Sequence, residues 1–99
     1  MTHRSPEKCR DMQDIRTEID AIDHEIIALL GQRMGYVQAA AAFKTSATTV
    51  RAEERVKSML AVRRQWAKEE QLPPDLVEQV YRTLVDGFIQ HEMTQWERS

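Results

Sequence analysis

Apolar residues recur through the first half of the chain in alternating steps of three and four: Ile15, Ile19, Ile22, Ile26, Leu29 with Leu30, Val37 and Ala40. That period predicts one amphipathic helix over residues 11–44. In the lead before it, Ser5-Pro6-Glu7 reads as an early cap signal. Residues 45–51 are mostly small or β-branched polar side chains, which predicts a loop able to order over a ligand. A second helix is expected over residues 52–70. Glu53 and Glu54 suit its N-terminal end, and Val56, Met59, Leu60 and Trp66 form its inner face. Leu72-Pro73-Pro74 stops it, and Pro74 or Asp75 opens a third helix that continues to about Trp96. The apolar face of that helix carries Val77, Val80, Tyr81, Leu84, Val85, Phe88 and Trp96. The fold expected is all-α, with three helices, one of them very long.

Three charged residues interrupt this apolar pattern. At roughly 100° per residue, Arg33 lies about 20° from the line through Ile26, and Lys44 falls almost on it. Eleven positions separate the two cations, roughly three full turns, so they point the same way. A positive charge in a buried stripe costs several kcal/mol unless something negative meets it. No carboxylate shares the stripe, which leaves an anionic ligand as the counter-charge. The plainer alternative is that both side chains snorkel to water, Lys44 near a helix end where cations favour the dipole. Glu92 lies four residues after Phe88 and four before Trp96, on the apolar side of helix 3. Apolar surroundings keep a carboxyl group protonated and able to donate a hydrogen bond, whereas nearby cations act in the opposite direction. A helix-end glutamate that reaches water is the other reading. Arg16 lies about 80° off the stripe, at its edge, where surface residues are usual. Arg55, early in helix 2, has glutamates within pairing distance along the chain.

Ninety-nine residues with 41% hydrophobic content make a single domain, 1–99, with a modest core. Helix 1 at full length would measure about 50 Å, against a radius of gyration of about 13 Å for a compact domain of this size. Its stripe continues to the far end, so an intertwined homodimer is expected. A net charge of −2 gives no electrostatic reason to expect nucleic acid or an anionic membrane. Cys9 is the one cysteine and no apolar run approaches the roughly 20 residues of a membrane span, so a reducing, cytoplasmic setting is expected. His3, His24 and His91 have no metal-ligand spacing, and no nucleophile–base pair or phosphate-binding glycine loop is present. Catalysis here would proceed without cofactor, metal or covalent intermediate, through positioning and electrostatic stabilisation.

Several short motifs carry a family resemblance in order and spacing. They are S-P-E-x-C at residues 5–9, D-I-R-x-x-I-D-x-I-D at 14–23, R-M-x-Y-V at 33–37 and F-K at 43–44. E-R-V-x-x-M-L at 54–60 and the final Trp96 complete the set. Across essentially its whole length the chain resembles the all-helical chorismate mutase family, and most closely its isochorismate-pyruvate lyase branch. The resemblance implies that Arg33 and Lys44 are substrate-binding cations of helix 1, that Arg55 matches the arginine at the start of helix 2, and that Arg16 is contributed by the other subunit. Mutases of this family carry a glutamate directly after the helix 2 arginine and an aspartate just upstream. Here those positions are Val56 and Ala52, as in the lyase branch. Lyases and bacterial mutases mostly have glutamine where this chain has Glu92, and a glutamate replaces that amide donor only while protonated.

The expected activity is therefore elimination of pyruvate from isochorismate, a small dicarboxylate, to give salicylate in a concerted pericyclic step. Such a reaction belongs to salicylate and siderophore biosynthesis. Rearrangement of chorismate to prephenate in the same pocket is the alternative. A non-catalytic helical dimerisation module is the second, and it predicts tolerance of Arg33→Leu.

Overall fold

In a computed structural model of the chain, the backbone is described for residues 3–40, 43 and 48–98, and side chains for residues 3–40, 43, 53–88 and 91. The described regular structure is helical throughout: a 3-10 turn at Pro6–Lys8, then α1 (Met12–Ala40), α2 (Thr48–Glu69) and α3 (Pro74–Arg98). The chain divides into two compact units, Met1–Val37 and Gln38–Ser99.

In the first unit the Ser5-Pro6-Glu7 signal opens only the 3-10 turn. The Lys8 and Cys9 amides donate to the carbonyls of Ser5 (2.9 Å) and Pro6 (3.2 Å), and the Ser5 side chain makes no cap. Asp11 caps α1 instead, its Oδ1 accepting the Asp14 amide at 2.9 Å. Asp14 in turn accepts the Arg10 amide (2.9 Å) and Nε (3.2 Å) and pairs with Arg4 Nη1 (2.7 Å). These donors, the Arg10 amide foremost, hold its carboxyl down at about 2, against an ordinary 3.8. Such a group stabilises fully above the ordinary value and loses its contribution as pH falls towards 2.

α1 comprises 29 residues, about 43 Å of helix. The α-helix is described to Ala40, and Phe43 has 3-10 geometry. Residue 44 itself lies outside the described residues. No residue of α1 is buried within the chain. Ile19, Ile26 and Leu29 are 50%, 48% and 60% exposed, an open apolar face far larger than single surface side chains make.

In the second unit α2 and α3 pack as a hairpin. Residues 48–51, expected in a loop, form the first turn of α2. β-branched residues cost a helix only a few tenths of a kcal/mol each, too little to fix a boundary. At the other end Gln71 adopts φ 61°, and its amide donates to Lys68 (3.2 Å) while that of Leu72 donates to Ala67 (2.8 Å). This is a Schellman cap carried by a non-glycine residue. The left-handed geometry costs an L-residue about 1–2 kcal/mol, so Gln71→Gly is expected to raise the melting temperature by a few degrees. Calorimetry checks this; a lowered midpoint would show that the glutamine side chain contributes more than its backbone costs.

α3 opens at Pro74, as the proline geometry predicts. Arg64 of α2 reaches Asp75 (2.7 Å) and Glu78 (3.5 Å), and the Arg63 guanidinium lies over the rings of Trp66 (4.7 Å) and Tyr81 (5.5 Å). Met59, Leu60 and Ala67 are the buried apolar residues of the hairpin. Trp66, expected inside, is half exposed: Ala67 suits the close helix approach beside a short connection, and the indole stacks on Arg63. Val80 is likewise exposed, while Val77, Tyr81, Leu84, Val85 and Phe88 are half-buried.

Candidate functional site

The five residues singled out by charge and pattern fall on three helices or outside the described chain. Arg33 lies within the apolar stripe of α1, one turn after Leu29 and one before Val37, and is half-buried. Arg16 projects from the exposed edge of the same helix. The helix is continuous between them, so 17 residues separate them by about 26 Å along the axis. Two arginine side chains of one chain cannot span that distance to hold one small molecule.

Arg55 is exposed on α2, and the adjacent Val56 is half-buried. Glu92 sits on α3 one turn beyond half-buried Phe88, along the line of Tyr81, Leu84 and Val85. Its side chain is outside the described residues, as is the whole of Lys44. Among the described residues, the carboxyl and guanidinium groups with displaced acidities, Asp14 (lowered), Arg4 and Arg64 (both raised), belong to ion pairs that include none of these five residues. In Arg4 and Arg64 the first cause is a hydrogen bond that the guanidinium donates to a carboxylate, that of Asp14 and of Asp75 respectively.

A shallow groove of about 360 Å³ runs along α3, lined by Leu76, Gln79, Val80, Thr83 and Leu84. It has no cationic lining and contains none of the candidate residues, so an anion finds no counter-charge there. Among the described residues, no three His, Cys, Asp or Glu side chains gather in a metal-binding arrangement, and no helix is long and apolar enough to cross a membrane.

One polar cluster was not anticipated. Residues 3–10 run back along α1, placing His3 beside Glu18 and Glu25 and Arg4 beside Asp14 and Glu18. The available signal was the spacing of Glu18 and Glu25, seven apart and hence about 20° apart on one helix face.

Comparison with known proteins extends the reading beyond geometry. A family model described as chorismate mutase type II matches residues 15–93. An isochorismate pyruvate lyase of Pseudomonas aeruginosa is 38% identical over 96 residues, which cover 97% of this chain and 95% of that protein.

Proposed function

The chain belongs to the chorismate mutase type II family, and from that membership we propose that it eliminates pyruvate from isochorismate, leaving salicylate. The observation that carries this reading is the 38% identity to a lyase of that activity, spread over nearly the whole of both chains. Val56 supports it too, because it puts an apolar side chain directly after Arg55, where family mutases have a glutamate.

The working unit we propose is a homodimer, with residues 1–99 of each copy acting as one domain. The family match runs from residue 15 to 93 and so crosses both compact units. The exposed stripe of α1 supports pairing with a second copy, because Ile19, Ile22, Ile26 and Leu29 are otherwise left in water. The separation of Arg16 and Arg33 supports the same arrangement: in an antiparallel pair, Arg16 of one chain approaches the C-terminal half of α1 in the other.

In this reading Arg33, Arg55 and the partner's Arg16 bind the two carboxylates and hold the substrate in its reactive conformer. As the enolpyruvyl C–O bond breaks, a ring hydrogen passes to the departing group and the ring becomes aromatic. Negative charge grows on the ether oxygen, where Lys44 supplies a preorganised donor. Glu92, while protonated, donates a second hydrogen bond near the same bond.

Incubation with isochorismate and with chorismate tests the assignment. Salicylate fluorescence from the first substrate supports it; loss of chorismate absorbance with no salicylate from isochorismate would make the chain a mutase instead. The family match favours that second reading enough to measure both activities. Glu92 makes a separate prediction. Activity should fall as rising pH removes its proton, and Glu92→Gln should flatten the profile between about pH 5 and 8. An unchanged profile in the variant would remove Glu92 from the mechanism.

A further inference from the structure

Tyr36 is 79% exposed, although it closes a row of residues spaced seven apart, Ile15, Ile22, Leu29 and Tyr36. Each seven-residue step on an α-helix turns back by about 20°, so this row drifts from the centre of the apolar stripe toward one flank. Tyr36 and Glu18 are eighteen residues apart, about five full turns, and so share that flank. At the other end of the same flank lies the segment before α1. His3 Nε2 hydrogen-bonds Glu25 Oε1 at 3.0 Å, the Arg4 amide donates to Glu18 Oε2 at 2.9 Å, and Arg4 Nη1 pairs with Asp14 at 2.7 Å. The Arg4 side chain is still 40% exposed, which leaves room for a further contact. His3, the first described residue of the segment, stops at Glu25, about 16 Å of helix short of Tyr36 in the same chain.

We propose that residues 3–10 and Tyr36 form a clasp between two copies of the chain: the Tyr36 ring of each copy lies on the N-terminal segment of the other, against its Arg4 guanidinium. The clasp rests on the homodimer reading above and adds to it the surface by which each α1 grips the far end of the other. A two-fold axis midway between antiparallel helices keeps corresponding flanks on the same side of the pair. The Tyr36 end of one copy therefore runs beside the Glu18 end of the other. Residues facing each other in such a pair have numbers of constant sum. With Arg16 of one copy level with a point between residues 33 and 44 of the other, Tyr36 comes level with residues 13–24. Over that stretch the segment is held, by Asp14, Glu18 and Glu25. A phenol ring on the Arg4 guanidinium gains cation–π attraction and leaves water, which its own chain does not offer it.

Cross-linking of the full-length protein tests the clasp. In a Cys9→Ser background, Arg4→Cys is combined with Tyr36→Cys and treated with a short bis-maleimide; the backbone bond from position 4 to Glu18 remains in this variant. A covalent dimer is expected, in which peptide mapping joins position 4 of one copy to position 36 of the other. Within one chain the linker cannot reach, because position 4 sits at Glu18, about 27 Å of helix from Tyr36. Each single substitution should give little covalent dimer. Arg4→Ala and Tyr36→Ala should each raise the dimer dissociation constant roughly fivefold, and together less than about tenfold, because both remove the same contact. The concentration dependence of urea unfolding reads that constant. Sedimentation of the unaltered protein separates failure of the clasp from failure of the dimer. A dimer that gives no link between positions 4 and 36, or an additive loss of about 25-fold in the double alanine variant, would overturn the clasp and leave the homodimer standing. A monomer at every concentration would overturn both.

Discussion

Lys44→Ala is expected to lower kcat for salicylate formation by a factor on the order of 10² or more, the usual effect of removing one preorganised donor to a developing oxyanion. The proposed step neither makes nor uses a covalent intermediate, so the protein's contribution is to meet charge as it appears. In the ground state the ether oxygen is nearly neutral, and the ammonium gains little from it. In the transition state the oxygen carries much of the electron pair of the breaking bond, and a donor in a water-poor site then acts at low effective dielectric. The loss should therefore fall on kcat and on kcat/KM together. A change confined to KM would mean that Lys44 binds only the ground-state carboxylates. In the proposed role the ammonium serves the substrate rather than the fold, so the variant should melt no lower than the parent. That control separates lost chemistry from lost structure.

What could be read from the pattern of residues follows the range of the forces involved. Pro74 opens α3 because a fixed φ and a missing N–H act within one residue, and that boundary was legible. The start of α2 was not, since Thr48, Thr49 and Val50 disfavour a helix by less than one additional turn can offset. The indole of Trp66 and the methyl of Ala67 lie at neighbouring helical positions with equal claim to the interior. Which of them turns inward depends on how closely α3 approaches, a distance that no local period contains. The N-terminal polar cluster was the least visible feature: His3 meets Glu18 and Glu25 across 15 and 22 residues, and the seven-residue spacing of the two glutamates was its one signal.

For the candidate site, helical periodicity was enough to place Arg33 within the stripe and Arg16 at its edge. Assigning them to a substrate took the family motifs, because a half-buried guanidinium on an apolar face is compatible with several roles. The periodic stripe also carried the expected first helix through residue 44, of which the described α-helix covers residues 12–40.

Arg16→Ala and Lys44→Ala should each be nearly inactive alone, and mixing them should restore activity. Arg16 and Arg33 are about 26 Å apart on one rigid helix, so a shared ligand requires Arg16 to come from a second chain. In a mixed dimer one site then receives an intact Lys44 from the first variant and an intact Arg16 from the second. The other site lacks both. After unfolding and refolding of an equal mixture, half the dimers are mixed and half their sites are whole, which gives about a quarter of the parental activity. Salicylate fluorescence measures it, with each variant refolded alone as the baseline. Activity that stays at that baseline, while mass spectrometry confirms mixed dimers, would place Arg16 and Lys44 in the same subunit's site or leave Arg16 outside any site. Either result would break the proposed link between assembly and catalysis. Restoration near a quarter would locate the active site across the subunit boundary, with the open stripe of α1 as the surface that joins its two halves.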